Sequence, residues 1–252
     1  YDRYPCYQNA NADPAGVDRE RGRIWRVVWT GDDASRPVPS RPSSDMNLAK
    51  LPSAQLVDLL AHPNVWQRRM AQRILSGRRD NTVQGRLQQI FTNGPTLEAR
   101  LAAFWTLWSS GYLADDMLAK AVKDREPAIR MWAARFLGEA RVASPQALEL
   151  LWELAADSDP TVRSAVATAC RQFVSGQLTV NAPLPGGAEP PDLSRVFSQL
   201  VNLSRDGNDP TINFLIWMAA EPLVARSPEL VLRWFEENWQ PSLPLSATLL
   251  SK

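Results

Sequence analysis

The sequence is poor in the side chains that usually build disulfides, metal sites and haem attachments. Two cysteines, Cys6 and Cys170, and one histidine, His62, occur in 252 residues. Thiols so far apart predict no disulfide framework, and no CxxC or CxxCH motif is present. A zinc site of ordinary His and Cys composition cannot be assembled from them. These counts exclude covalently attached haem c and a usual zinc centre from this segment.

Neither an excess of one charge nor a long apolar run is present. The 28 basic residues nearly balance the 27 acidic ones, so bulk electrostatics do not predict a polyanion-binding protein. No stretch of about eighteen apolar residues occurs, so the sequence predicts no membrane-spanning helix. No Met precedes Tyr1, and we expect the chain to be a segment of a longer protein.

Proline, in contrast, is abundant and regularly spaced. Pro63, Pro95, Pro127 and Pro160 stand 32, 32 and 33 residues apart, and Pro210 follows after 50. An aliphatic residue lies two positions after each of them, and a helical pattern follows. A period in the low thirties is typical of stacked helix pairs. The sequence therefore predicts an all-α fold, a right-handed α–α superhelix, with a short irregular or β segment at its N-terminus.

Five helix pairs and the start of a sixth, at residues 228–239, are predicted within residues 48–252. The pairs are Pro52–Ala61 with Asn64–Ser76, Thr82–Thr92 with Thr96–Ser109, Ala114–Lys123 with Ala128–Glu139, Pro145–Ala156 with Thr161–Val174, and Leu193–Arg205 with Thr211–Val224. Residues 177–193 are rich in proline and glycine and predict a surface loop inserted into the array.

Local residue types predict where these helices begin and end. Side-chain oxygens suited to N-caps occur at Ser144, Ser158-Asp159 and Asn208-Asp209. Glycines stand where helices should stop. These glycines are Gly77, Gly94, Gly111 and Gly176.

The first thirty residues differ from the rest of the chain. Arginines alternate with β-branched and aromatic residues from Arg23 to Trp29, a pattern typical of a strand. A lone strand cannot bury its apolar face, so we expect it to pair with a sheet outside the helical part. Residues 31–47 have linker composition. The predicted organisation is a terminal strand at 1–30, a linker at 31–47 and a solenoid at 48–252.

The second helices of the pairs are rich in arginine, whereas the first helices lean acidic. One interpretation is a basic concave groove for an acidic peptide, an acidic protein domain or nucleic acid. Its candidate binding residues are Arg68, Arg69, Arg100, Arg130 and Arg163. The other interpretation is a ladder, in which these arginines pair with carboxylates of adjacent repeats or satisfy helix ends. Repeat arrays often contain such contacts between layers, which favours the ladder.

Other conspicuous residues receive structural interpretations. The tryptophans of the helical part are predicted to be core wedges between repeats, because most tryptophans bury their large rings. His62 is predicted to make a loop hydrogen bond or a cap. The sequence nominates no catalytic residue, metal ligand or cofactor-binding residue in this segment.

The segments Asp159-Pro160-Thr161-Val162-Arg163 and Glu126-Pro127-Ala128-Ile129-Arg130 carry a family resemblance. Both resemble the Asp/Asn-Pro-x-Val-Arg core of HEAT repeats, and the likeness extends over roughly four fifths of the chain. The resemblance implies a HEAT/armadillo-like solenoid.

The N-terminal run Gly22-Arg23-Ile24-Trp25-Arg26-Val27 resembles the closing strand of a six-bladed, sugar-dehydrogenase-type β-propeller. Together with Leu59–Arg73, it makes the chain similar to the large membrane-bound dehydrogenase proteins of planctomycetes and verrucomicrobia. Their order is propeller, HEAT repeats, then c-type cytochrome. This resemblance implies an exported or periplasmic redox protein with haem c in a downstream domain.

The expected function is a noncatalytic spacer that joins the propeller to the cytochrome, with an acidic protein surface as a further partner. One alternative is a stand-alone protein-interaction adaptor. Another is a HEAT-like DNA-binding or DNA glycosylase protein. We rank the last lowest, because the charge is nearly neutral and no Asp lies among the second-helix arginines, so nucleic acid is not an expected partner.

Overall fold

The computed structural model describes residues 46–175, 191–201, 209–226 and 228–238. The predicted strand at 23–29, nearly all of the linker at 31–47 and most of the insertion at 177–193 lie outside the described residues. The chain divides into two compact units, Tyr1–Asn47 and Leu48–Lys252. The helices described below all belong to the second unit.

The described part of the chain is helical and contains no strand. Its α-helices are α1 (Ser53–Leu59), α2 (Val65–Arg78), α3 (Gln84–Asn93), α4 (Leu97–Ser110), α5 (Asp115–Val122), α6 (Pro127–Ala140), α7 (Pro145–Ala155), α8 (Pro160–Ser175), α9 (Ser194–Val201), α10 (Pro210–Arg226) and α11 (Pro228–Asn238). Short 3-10 helices lie at Leu48–Lys50 and Asn81–Val83. None of the helices in these ranges has both the length and the apolar character needed to cross a bilayer.

The helices form two layers. The second helices of the pairs lie side by side, with α2 against α4, α6 against α8 and α8 against α10. The first helices form the other layer, in which α5 contacts α7 and α7 contacts α9. The core fills the space between the layers with fully buried side chains such as Leu56, Phe104, Ile129, Leu151 and Val166. Because each pair shields its apolar flank against its neighbours, this arrangement confirms the prediction of an all-α solenoid.

The periodic prolines lie at the start of each second helix, as predicted. Pro127, Pro160 and Pro210 are the first residues of α6, α8 and α10. Pro63 and Pro95 lie one residue before the N-caps of α2 and α4. In the first turn a helix has no partner for its N–H groups, so a proline there removes no hydrogen bond.

The N-cap prediction is confirmed at Ser144, Asp159 and Asp209. The side-chain oxygens of Ser144, Asp159 and Asp209 accept backbone N–H groups of the following helices at 3.1, 2.8 and 2.8 Å. Each satisfies one of the unpaired donors of a first helical turn.

The predicted helix ends are partly wrong. Gly111 ends α4 with a left-handed backbone (φ 78°), and Gly94 follows α3 as predicted. In contrast, α2 continues past Gly77. Its C-cap is Arg79, which adopts the left-handed conformation itself (φ 50°). Gly176 lies outside the described residues.

A glycine inside α6 permits a close approach to α8. A Cβ atom at Gly138 would lie 2.6 Å from the Cα and 2.8 Å from the Cβ of Ala169. Real side chains do not approach so closely, so the two helices pack at this point only because one of them lacks a side chain. This contact is not among those predicted from the sequence.

Candidate functional site on the second-helix layer

Three of the candidate arginines reach back to the turn that follows the preceding first helix. Each is a second-helix residue that donates to a backbone carbonyl six positions earlier. The pairs are Arg68 to His62 (2.8 Å), Arg130 to Asp124 (2.8 Å) and Arg163 to Asp157 (2.6 Å). These carbonyls lie two or three residues beyond the ends of α1, α5 and α7, so each guanidinium group satisfies a backbone acceptor in the turn that joins the two helices of its own pair.

Arg130 also joins neighbouring repeats. Its Nε and Nη2 donate to the Oδ2 and Oδ1 atoms of Asp157 at 2.5 and 2.8 Å. The two side chains are only 14% and 8% exposed. Asp157 in turn accepts the backbone N–H of Asp159 at 2.8 Å. A bidentate, charge-assisted pair of this kind is among the stronger polar contacts in proteins.

The environment of this pair keeps both groups charged. Burial opposes ionisation of Asp157, but the hydrogen bonds donated by Arg130 and by the Asp159 N–H outweigh it, and the pKa of the carboxyl lies below its ordinary 3.8. The hydrogen bond to Asp157 raises the pKa of Arg130 above its ordinary range.

Arg100 makes the equivalent contact one repeat earlier. Its Nε donates to the carbonyl of Phe91 at 2.9 Å, and its terminal nitrogens bind the carboxylate of Asp124. Arg100 is only 7% exposed. Asp124 accepts the N–H of Glu126 at 2.9 Å, just as Asp157 accepts that of Asp159. The same kind of buried Arg–Asp ion pair therefore connects successive repeats.

Four of the five candidate binding residues thus make internal contacts. We call Arg68, Arg100, Arg130 and Arg163 the ladder arginines; Arg163 is the most buried of them, at 2% exposure. Their contacts match the ladder interpretation. Only Arg69 of the candidate set is exposed to solvent.

The positions of the ladder arginines locate the solvent-facing side of each second helix. Residues one and five positions after a ladder arginine are separated by about 40° around the helix axis and so share a face. We call the surface formed by these positions the outer face. On α10, Asn213 stands at the position that a ladder arginine occupies on the other second helices. Its residues are Arg69 and Arg73 on α2, Leu101 and Trp105 on α4, Met131 and Arg135 on α6, Ser164 and Thr168 on α8, and Phe214 and Met218 on α10. None of the ten is buried.

Contacts between α2 and α4 place their outer-face residues side by side. The hydroxyl groups of Ser76 and Ser109 are hydrogen-bonded at 2.5 Å. The Tyr112 hydroxyl, just after α4, donates to the carbonyl of Arg79, just after α2. These two contacts fix the register, so the arginines of α2 lie beside the apolar outer-face residues of α4.

Aromatic rings fill the boundary between α4 and α6. Trp105 and Trp132 pack edge to face with ring centroids 5.2 Å apart, and Trp108 stacks on Phe136 at 4.7 Å. The Arg135 guanidinium lies over the Trp132 ring, 4.4 Å from its centroid. The Nε1 atom of Trp105 is buried and has no hydrogen-bond acceptor among the described residues.

The prediction that tryptophans are core wedges is confirmed for most of the described ones and wrong for one. Partly buried rings pack against the core at Trp105, Trp108, Trp132, Trp152, Trp217 and Trp234. Trp66, at the start of α2, is 39% exposed. Trp239 lies outside the described residues.

The remaining candidates are structural. The backbone N–H of Asn64 donates to His62 Nδ1 at 3.0 Å, which confirms the predicted loop hydrogen bond. Cys170 is fully buried, and burial raises the pKa of its thiol to about 12. Within the described ranges, no three His, Cys, Asp or Glu side chains lie close enough together to hold a metal ion.

Comparison with known proteins identifies part of the array. The family model of HEAT repeats matches residues 86–171, from α3 to α8. Residues 86–171 are a HEAT-repeat segment. Repeats of this family indicate a noncatalytic scaffold or a protein-interaction module.

The other comparisons add little. None of the curated proteins matches the chain. Among solved structures, the crystal structure of an engineered protein covers 79% of this chain and 96% of its own, with 14% identity and a TM-score of 0.38. A likeness this weak supports no further argument about the HEAT-repeat segment.

Proposed function

We propose that this chain is the noncatalytic HEAT-repeat scaffold of an exported multidomain redox protein. In this proposal it joins a dehydrogenase-type β-propeller to a c-type cytochrome. Support comes from the resemblance of residues 22–27 to a closing propeller strand and from the HEAT match at 86–171. The observation that carries the scaffold role is the internal use of the ladder arginines.

A scaffold must hold its ends at a steady separation. Each repeat contacts only its neighbours, so the stiffness of the array depends on every boundary. Buried ion pairs connect α4 to the turn after α5, and α6 to the turn before α8. Breaking a buried pair by removing one partner typically costs about 3–5 kcal/mol. Such boundaries resist bending, which suits a spacer.

The experiment begins with the complete coding sequence. We expect propeller repeats before Tyr1 and a CxxCH motif after Lys252. In the full-length protein, fluorescent labels on the two flanking domains then report their separation by energy transfer. Replacing Arg100 and Arg130 with glutamine is expected to broaden the distance distribution.

The matched control is Arg86→Gln, which breaks an exposed ion pair with Asp58 and should leave the distribution unchanged. A coding sequence without the two flanking domains would contradict the proposal. An unchanged distance distribution in the Arg100/Arg130 variant would also contradict it.

A second candidate function is a stand-alone protein-interaction adaptor. The observation that favours it is the outer face, where Arg69 and Arg73 are exposed and the exposed Arg135 lies over the Trp132 ring. An adaptor binds its partner without the flanking domains. Two results would favour this function. The isolated chain would bind a defined partner, and no propeller or cytochrome would be encoded beside it.

A further inference from the structure

We propose that the outer face of α2, α4 and α6 binds an acidic peptide segment of a protein partner, in which carboxylates flank an apolar side chain. The proposal rests on the protein-interaction role of the repeats. It does not depend on the propeller or the cytochrome.

The cations of this surface are available to a partner. Arg69 and Arg73 are exposed one helical turn apart on α2, and Arg135 is exposed on α6. Within the described part of the chain, none of the three forms an ion pair with a carboxylate. The ladder arginines, in contrast, already hold their own acceptors. Complementary charge at exposed positions steers and orients a partner.

The nearby acidic groups on this layer have local hydrogen bonds. Glu98 lies in the first turn of α4, where its own backbone N–H and the Thr96 hydroxyl lower the pKa of its carboxyl. Glu139 accepts the indole N–H of Trp108 at 3.1 Å. Neither carboxylate is ion-paired with an outer-face arginine, so the positive charge of this surface is not cancelled by direct contact.

An apolar strip lies between the two groups of cations. Leu101 and Trp105 form the outer face of α4, and Met131 continues it on α6 beside Trp132. All four side chains are half-buried and present part of their apolar surface to solvent. Tryptophan, methionine and arginine are the residue types enriched where proteins contact one another.

The spacing of the helices defines the ligand. Closely packed helices lie about 8–10 Å apart, and α4 and α6 meet through large aromatic rings, so the cations of α2 and α6 are separated by at least roughly 20 Å. An extended peptide rises about 3.3 Å per residue and covers this distance in about six residues. The matching peptide therefore has acidic groups about six positions apart and an apolar side chain between them. On α8 the outer face becomes neutral and polar, with Ser164 and Thr168.

Single-stranded nucleic acid also stacks on aromatic rings beside arginines. Its affinity depends on many phosphate contacts. The outer face of α2, α4 and α6 offers three arginines and no lysine, and the whole chain carries a net charge of +1. These observations favour an acidic peptide over a nucleic acid.

The test uses fluorescence anisotropy with the 252-residue chain. The probe is a fluorescein-labelled peptide with two glutamates at each end and Leu-Trp in its centre. We expect it to bind, and we expect a Lys-for-Glu version to bind at least about tenfold more weakly. A version with Ser-Ser in the centre should also bind at least about tenfold more weakly, because it has no apolar side chain to contact the apolar strip.

Charge-reversal variants locate the site. Arg69→Glu with Arg73→Glu should raise the Kd of the acidic probe at least about tenfold. Lys120→Glu with Lys123→Glu makes the same charge change at exposed positions at the end of a first helix and should leave the Kd within about twofold. Circular dichroism checks that both variants fold; if the α2 variant does not, Arg69→Gln with Arg73→Gln replaces it.

Three results would overturn the proposal. They are no binding of the acidic probe, equal binding of the Lys version, and equal losses in the two charge-reversal variants. Preferential binding of oligothymidylate would assign the face to nucleic acid instead. If the coding sequence lacked the flanking domains, the spacer function would be contradicted, but these binding measurements would not change. The spacer proposal and the peptide-binding proposal can therefore be disproved independently.

Discussion

Arg130 on α6 holds the carboxylate of Asp157, in the turn between α7 and α8, through two hydrogen bonds of 2.5 and 2.8 Å. The same guanidinium group donates to the carbonyl of Asp124 in its own repeat. One side chain therefore joins the turn of its own helix pair to the turn of the following pair. Removing it should weaken a boundary between repeats as well as a local contact.

We predict that Arg130→Gln destabilises the protein by about 3–5 kcal/mol, because it removes the two charge-assisted hydrogen bonds that Arg130 donates to the buried Asp157 carboxylate. Urea titration followed by circular dichroism measures the free energy of unfolding. Because repeat arrays can unfold in parts, the titration is read at both the helical signal and tryptophan fluorescence.

The matched control is Arg86→Gln. Arg86 pairs with Asp58 across the first-helix layer, but these side chains are 46% and 58% exposed. Exposed pairs contribute about 0–1 kcal/mol, so this variant should be nearly as stable as the wild type. Equal losses in the two variants would show that burial of the Arg130 pair does not matter.

Acid should weaken the same boundary. The pKa of Asp157 is lowered in the folded chain and about 3.9 in the unfolded chain. Its carboxylate therefore contributes stability fully above the unfolded pKa, and this contribution is lost as the pH falls below about 4 through the folded pKa. Asp157→Asn lacks this titration.

Thermal unfolding measured from pH 7 to pH 2 tests this prediction. The wild-type melting temperature should fall more steeply below about pH 4 than that of Asp157→Asn, and the two curves should approach each other in acid. Parallel curves over the whole range would show that Asp157 is not the group responsible.

The helix boundaries could be predicted because their signals are local. A proline suits a first helical turn, and Asp159 or Ser144 caps the helix that directly follows it. The failure at Gly77 has a local cause as well. A glycine permits a left-handed helix end but does not require one, and here Arg79 adopts that conformation two residues later.

The sequence predicts the type of contact between repeats but not the individual residues that form it. The sequence shows basic second helices and acidic first helices, which favours a ladder. It does not show that Arg130 selects Asp157, 27 residues away, or that Arg69 remains outside the ladder. That choice depends on the rotation of each helix about its axis, which the packing between the layers determines.

Gly138 gives a further prediction from packing. Gly138→Ala places a methyl group against Ala169 on α8, so we expect a loss of about 1–3 kcal/mol from overpacking. Urea titration measures the change.

The control is Gly77→Ala in α2, where nothing lies within 4 Å of the added Cβ. Alanine is the better helix former, so this variant should gain about 0.5–1 kcal/mol. Two changes of the same sign would contradict the packing argument.

The buried thiol of Cys170 provides a probe of unfolding. Because burial raises the pKa of this thiol to about 12, almost no thiolate exists at pH 8, and reagent cannot reach it in the folded chain. In a Cys6→Ser background, Ellman's reagent should therefore react with Cys170 slowly in buffer and rapidly in denaturing urea. The α8 boundary variant Arg130→Gln should increase the rate in buffer, since more frequent opening exposes the thiol, whereas Arg86→Gln should not. Rapid reaction of Cys170 in the Cys6→Ser chain without urea would mean that α8 does not pack against its neighbours as the structure shows.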